Sequence, residues 1–297
     1  MPPGGYTWWY IDAISEDGNS ALVIIIFVGS VFSPYYAWSG RSDPNNHCAL
    51  NIALYDRQGD RWAMTERPKS AIERTTDTFA VGPSRVDRTS DGLSIRVLER
   101  GAPLPRAVNG TVEVRLPWQN TRRFQLHPSG RHTWQPICTA AEVSVAFDAP
   151  KRTWTGRAYV DTNWGTEPLE TGFDYWDWSR TEGPDGSAKI RYVSDLASGG
   201  ATDFCVGFDT SGEISTHTLE PQTTLPPTPI WRIPRRAGLL NGETPELMRT
   251  LEDTPFYSRS LLNHPASGVR AVHESFSGKR LRSNLIKSLL MVRMPRR

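Results

Sequence analysis

Trp8-Trp9-Tyr10-Ile11-Asp12-Ala13-Ile14, then Glu16-Asp17-Gly18-Asn19, then Ala21-Leu22-Val23-Ile24-Ile25-Ile26-Phe27-Val28: two runs rich in aromatic and β-branched residues, joined by turn formers. Such a pair reads as two strands of a hairpin, because Asp-Gly supplies the turn and the flanks suit a pleated surface. The pattern recurs. Ala49–Tyr55 and Arg61–Thr65 flank Asp56-Arg57-Gln58-Gly59-Asp60, Ser90-Asp91-Gly92 precedes Leu93–Leu98, and Thr111–Leu116 follows a glycine-containing turn. Glu142–Phe147, Thr153–Asp161, Phe173–Ser179, Lys189–Val193, Asp203–Phe208, Glu213–Leu219 and Val269–Phe276 extend it. Helical spacing is confined to Pro245–Leu251 and to Leu281, Leu285 and Leu289, which repeat at i+4. Many short strands broken by Gly and Pro turns predict an all-β fold, sandwich or barrel, with few short helices.

A chain of 297 residues accommodates two domains or one large β unit. The best breaks are Pro128–Gly130 and Asp148–Lys151, so the boundary is expected near residue 150: an N-terminal β domain over 1–150 and a C-terminal one over 151–297, ending in a basic tail. Leu225 to Pro234 holds four prolines and reads as a loop or a sheet edge.

The bulk numbers exclude several classes. A hydrophobic content of 38% and a charged content of 22% are those of a globular protein, and a net charge of +2 gives no case for nucleic acid. The three cysteines, Cys48, Cys138 and Cys205, have no CxxC spacing and fit a reducing compartment. No signal-peptide pattern opens the sequence, and the longest apolar run, Ala21 to Val28, is far short of the ~20 residues of a spanning helix. A cytoplasmic protein is expected. His47, His127, His217, His264 and His273 are dispersed, so no metal site is expected, and no phosphate-binding or nucleophile-elbow motif occurs.

The candidate chemistry lies in His132-x-Trp134 and Tyr159-x-Asp161. Spacing of i, i+2 on extended backbone puts both members of a pair on one face. Along Thr153–Asp161 one face carries Trp154, Gly156, Ala158 and Val160, the evident core side. The other carries Thr155, Arg157, Tyr159 and Asp161, which meets either solvent or a pocket. If Arg131–Ile137, Glu142–Phe147 and Thr153–Asp161 form a meander, the two pairs stand about 10 Å apart, room for a polyene chain. A carboxylic acid sheltered by aromatic rings can protonate an alkene, and an indole face stabilises the resulting cation. Burial would raise Asp161 from ~3.9 toward a protonated state; pairing with Arg157 would undo this. Asn163 is a candidate to position water, with a turn role competing. Trp164, Trp176 and Trp178 are candidates to line the pocket, with core packing competing for the last two.

Longer strings carry a resemblance. Gly4-Gly5-Tyr6-Thr7-Trp8-Trp9-Tyr10-Ile11-Asp12-Ala13, Phe27 to Trp38, and Arg61-Trp62-Ala63-Met64-Thr65-Glu66-Arg67 resemble carotenoid 1,2-hydratase, also called hydroxyneurosporene synthase. So do Gly156-Arg157-Ala158-Tyr159-Val160-Asp161-Thr162-Asn163-Trp164-Gly165, Phe173 to Arg180, and the closing Met294-Pro295-Arg296-Arg297. The likeness runs essentially end to end. It implies two lipocalin-like antiparallel β-barrel or sandwich domains in tandem. It implies addition of water across the terminal C=C bond of an acyclic carotenoid of the lycopene or neurosporene type, with no cofactor or metal. It further implies that Asp161 is the proton donor, supported by Tyr159, His132 and Trp134. The same scaffold hosts isoprenoid or polyketide cyclases, and a non-catalytic carrier of a hydrophobic ligand is the reading from another class.

After Glu274 no acidic residue follows, while Lys279, Arg280, Arg282, Lys287, Arg293, Arg296 and Arg297 crowd the end. With the leucine repeat, this suits peripheral docking on the inner face of a pigment-containing membrane.

Overall fold

The computed structural model describes residues 1–297. The chain is mostly β, with 55% strand and 10% helix, as the turn-punctuated pattern requires. It divides into two contact units, the first formed by Met1–Gln125, Gly130–Pro168 and Lys287–Arg297, the second by Leu126–Ser129 and Leu169–Ile286.

The first unit is a 12-stranded antiparallel sheet. Its early strands are β1 (Tyr6–Ser15), β2 (Ala21–Val28), β3 (Cys48–Tyr55), β4 (Arg61–Arg67), β5 (Ile72–Arg74) and β6 (Thr78–Val81). There follow β7 (Ser84–Arg88), β8 (Gly92–Arg100), β9 (Ala107–Arg115), the short β10 (Phe124–Gln125), β11 (His132–Ala149) and β12 (Lys151–Gly165). The order is β4-β3-β2-β1-β12-β11-β9-β8-β7-β6-β5, with β10 on β11. Because β4 also meets β8 and β9, the sheet curls into a nearly closed barrel. Its interior takes the alternate apolar residues, among them Ile11, Ala13, Ile24, Ile26, Leu50, Ile52, Ala158 and Val160.

Two strands differ from the sequence expectation in a way that matters for the site. Arg131–Ile137 and Glu142–Phe147 are one continuous 18-residue strand, β11, not two arms of a meander. Pro136 lacks a ladder N–H, and the register shifts on both sides of Cys138; those bulges break the two-residue alternation that would have revealed the continuity. The two candidate pairs therefore stand on adjacent strands, and the anticipated 10 Å gap between them does not exist. The short strands β5 to β7, of three to five residues each, show no extended alternation and lie outside the sequence expectation.

The second unit contains β13 (Phe173–Glu182), β14 (Ala188–Leu196), β15 (Ala201–Phe208), β16 (Ile214–His217), β17 (Gln222–Leu225) and β18 (Arg235–Gly238). β19 (Glu246–Asp253), β20 (Tyr257–His264) and β21 (Val269–Phe276) complete it. Seven strands form one sheet, and β17 pairs with β18 as a separate ribbon. Pro245–Leu251, which carried helical spacing, falls largely in β19: register shifts between Leu247 and Arg249 and between Thr250 and Glu252 counterfeit a longer period.

The leucine repeat near the end does not form one stripe. Leu281 closes the short helix Gly278–Leu281 and is buried, whereas Leu285 and Leu289 lie on a second helix, Asn284–Arg293, and are exposed. No helix is long and apolar enough to cross a membrane.

Candidate active site

Strand β12 runs between β1 and β11, and the register fixes what shares its outward face. Asp12 stands opposite Tyr159, Tyr10 opposite Asp161, and Trp8 opposite Asn163. On the other flank Trp134 stands opposite Asn163 and His132 opposite Gly165. Tyr6, Trp8 and Tyr10 thus form one aromatic row and His132 and Trp134 another, with Asp161 and Asn163 on the strand between them. This face is the reverse of the one that fills the barrel interior.

The face changes character along its length. Thr155 and Arg157 are exposed, while Tyr159 and Asp161 are buried, with Asp161 only 3% accessible. The solvent reading holds for Thr155 and Arg157, while Tyr159 and Asp161 are closed off from solvent. Arg157 pairs in register with Glu142 and Ile14 and forms no part of the buried cluster, so its guanidinium does not neutralise the acid.

Two hydrogen bonds define the acid. The Trp134 indole Nε1–H donates to Asp161 Oδ2 at 2.8 Å, and the Tyr159 hydroxyl donates to the same oxygen at 2.7 Å. A carboxyl oxygen accepts two hydrogen bonds in its plane, so Oδ2 is saturated; in the acid form the proton resides on Oδ1. The Trp134 ring packs on Phe124 at 5.1 Å, which fixes the indole edge.

Asp12 is a residue the sequence reading passed over. It is wholly buried, accepts from the Tyr10 hydroxyl at 3.2 Å, and lies diagonally across the strand pair from Asp161. The Tyr10 and Tyr159 rings meet edge to face at 6.1 Å. The available signal was the i, i+2 spacing of Tyr10-x-Asp12, the same element as Tyr159-x-Asp161.

His132 belongs to a neighbouring cluster. Its Nδ1 is 2.8 Å from the Tyr6 hydroxyl and its Nε2 is 3.0 Å from Glu167 Oε1. Tyr6 in turn stacks on Trp8 at 5.0 Å. With Gly165 as its register partner, His132 stands four positions along β12 from Asp161, roughly 13 Å at ~3.3 Å per residue. Through Tyr6 it braces the aromatic row.

The remaining candidates separate. Asn163 shares the face of Asp161 and is buried. Trp164 is on the opposite face, under the Arg123 guanidinium at 5.4 Å. Trp176 and Trp178 belong to β13 in the second unit, where Trp176 packs on Phe276 at 4.5 Å and Phe173 at 5.3 Å, the core role.

Comparison with known proteins places this geometry in context. Residues 24–297 match the family Carotenoid hydratase CrtC. The acyclic carotenoid 1,2-hydratase of Thiocapsa roseopersicina is 44% identical over 301 residues, covering 100% of this chain and 74% of the relative. That of Rubrivivax gelatinosus is 42% identical over 307 residues, covering 100% and 75%. Among solved structures, an AttH protein of Nitrosomonas europaea superposes with a TM-score of 0.62 at 16% identity over 93% of each chain. CghA bound to Sch210972 gives 0.58 at 13% identity, covering 93% of this chain and 89% of CghA. These two establish the fold alone.

Proposed function

The chain belongs to the carotenoid hydratase family, and from that premise we propose that it adds water across the terminal C=C bond of an acyclic carotenoid, with Asp161 as the proton donor. The observation that carries this is the convergence of Trp134 and Tyr159 on a single oxygen of a buried carboxyl.

The Oδ1–H bond of Asp161 breaks and its proton is taken by the π electrons of the terminal alkene, forming a C–H bond. The positive charge develops on the carbon bearing two methyl groups, a tertiary cation. Water bonds to that carbon and releases a proton, which restores the acid, so the net reaction is alkene plus water to tertiary alcohol. As the proton leaves, Oδ2 gains negative charge while already holding two donated hydrogen bonds. Bonds to a charged acceptor are about twice as strong as neutral ones, so the pair stabilises the transition state more than the resting acid. The aromatic row Trp8 and Tyr10 offers π faces to the cation, a contribution of about 2 kcal/mol when water is excluded. Asn163, adjacent to Asp161 on the same face, is suited to hold the attacking water.

The relatives do not favour the alternatives, cyclisation or passive carriage. Incubation with lycopene in oxygen-18 water, followed by mass spectrometry, tests the reading. The label is expected in a tertiary alcohol with the intact chain and absent with Asp161→Asn. Unlabelled or cyclised product, or full turnover by Asp161→Asn, removes it.

Peripheral membrane contact is part of the proposal, with a changed basis. Arg296 engages Glu66 and His47, Arg293 covers the Trp62 ring at 4.4 Å, and Arg280 and Arg282 donate to backbone carbonyls. Those cations are held within the protein. The apolar side chains Leu285, Leu289 and Val292, at i, i+4 and i+7 of the last helix, are 71%, 43% and 57% exposed, a stripe suited to the bilayer interface. Replacing all three with Ser is expected to abolish flotation with anionic liposomes; undiminished flotation rejects the stripe.

A further inference from the structure

The two faces of β1 and β12 serve different ends. Tyr10, Asp12, Tyr159 and Asp161 occupy one; Trp9, Ile11 and Val160 occupy the other and face the barrel interior. There the first unit holds a pocket of about 270 Å³, open to solvent on one side, with Ile11, Ile26 and Val160 as its buried floor. Trp9, Phe79 and Leu93, half-buried and packed against the barrel core, form part of the wall. Protein interiors leave few voids larger than a water molecule. An apolar cavity of about 150 Å³ already stays dry and takes up a small hydrocarbon, and this one is nearer the ~300 Å³ at which ligand pockets begin.

The mouth is polar and its charge is biased. Arg74 and Arg88, both exposed, stand there with a single carboxylate, Asp77. Arg74 lies 5.9 Å from the centroid of the Phe79 ring, so a cation sits directly above an apolar wall. That is the junction an amphiphile presents between head and tail. The volume is far too small for a whole acyclic carotenoid, and the sheet separates it from Asp161.

We infer that the barrel of the first unit binds a single-chain amphiphile with an anionic head, the tail on Ile11, Ile26 and Val160 and the head at Arg74 and Arg88. The chemistry is shared by free fatty acids and by an acyl chain of an anionic lipid. The site is separate from the hydration chemistry and does not depend on it.

Calorimetric titration of the full chain with decanoate, laurate and myristate tests this. Affinity is expected to rise about fourfold per buried methylene and then level off when the cavity is full. Leu93→Trp, which fills the cavity, is expected to abolish laurate binding, and Arg88→Glu to weaken it about tenfold at low salt. Methyl laurate, lacking the charge, is expected to bind more weakly than laurate. Uptake of laurate from solution identifies free fatty acid as the source, while binding seen only with phosphatidylglycerol vesicles identifies a lipid chain. Both variants should hydrate carotenoid as the parent does. No saturable binding in either arm overturns the inference, as does laurate binding unchanged in Arg88→Glu and equal for the ester. The charge-reversal and ester arms remain decisive if Leu93→Trp does not fold.

Discussion

Trp134 and Asp161 are diagonal neighbours on β11 and β12, not register partners, yet the indole Nε1–H reaches Asp161 Oδ2 at 2.8 Å. The relation gives the support expected of Trp134 a specific form: its edge holds the carboxyl, whatever its face does for a cation. Trp134→Phe keeps an aromatic plane and removes only the donor. A hydrogen bond to a charged group contributes about 1.5–3 kcal/mol, so kcat is expected to fall about 10- to 100-fold with KM little changed. An unaltered kcat would assign Trp134 to packing.

Tyr159 shares the oxygen, and the two donors are therefore not independent. Tyr159→Phe alone should lower kcat by a similar factor. In Trp134→Phe with Tyr159→Phe the loss is expected to depart from the product of the single losses, because each donor changes the charge the other sees. Steady-state kinetics of the four proteins in the cycle measure the coupling; strict multiplicativity would mean that the two do not act on one oxygen.

Asp12 gives a separate prediction. Asp12 accepts the Tyr10 hydroxyl at 3.2 Å, and the Tyr10 ring meets Tyr159 at 6.1 Å. Asp12→Asn keeps the shape and weakens that acceptor, so the ring that packs on Tyr159 is held less firmly. The loss of one such bond is expected to lower kcat about 2- to 10-fold with KM little changed. An unaltered kcat would make Asp12 purely structural.

Much of this was legible in the chain, and the failures have particular causes. Ala21–Val28 is an uninterrupted apolar run and Val269–Phe276 mixes apolar with polar positions, and the observed bounds of both coincide with the expected ones. Tyr159 and Asp161 were brought to one face by period-two spacing alone. The continuity of β11 was hidden because bulges around Cys138 carry no composition of their own. Asp12 was hidden because a carboxylate inside an apolar strand is identified only by what lies across from it, and register is not written in one strand. Spacing puts His132 on the face of Asp161 but says nothing of the four register positions that lie between them along β12.

The cysteines offer a chemical check on burial. All three are buried thiols, and Cys48 is pushed up to about 12, first by burial and then by the charge of Glu66. Burial likewise raises Cys138 and Cys205. Thiolate is the reactive form, so the folded chain is expected to give almost no reaction with Ellman's reagent at pH 8, and three equivalents after denaturation. A fast equivalent in the native protein would mean that one of these strands opens readily.

His264, at the end of β20, makes stability depend on pH. Burial holds its imidazole below the ordinary value of 6.5, and the nearby Glu243 offsets this only in part. The unfolded chain therefore binds this proton more readily than the folded one. The sign follows: the contribution is fully present above about pH 6.5 and is lost as pH falls through the depressed folded value. His264→Gln keeps a donor and removes the titration. The difference in urea midpoint between the two proteins is expected to narrow as pH is lowered from 7.5 to 5, since the other histidines are common to both and cancel. A difference independent of pH would show that His264 takes up its proton equally well in both states.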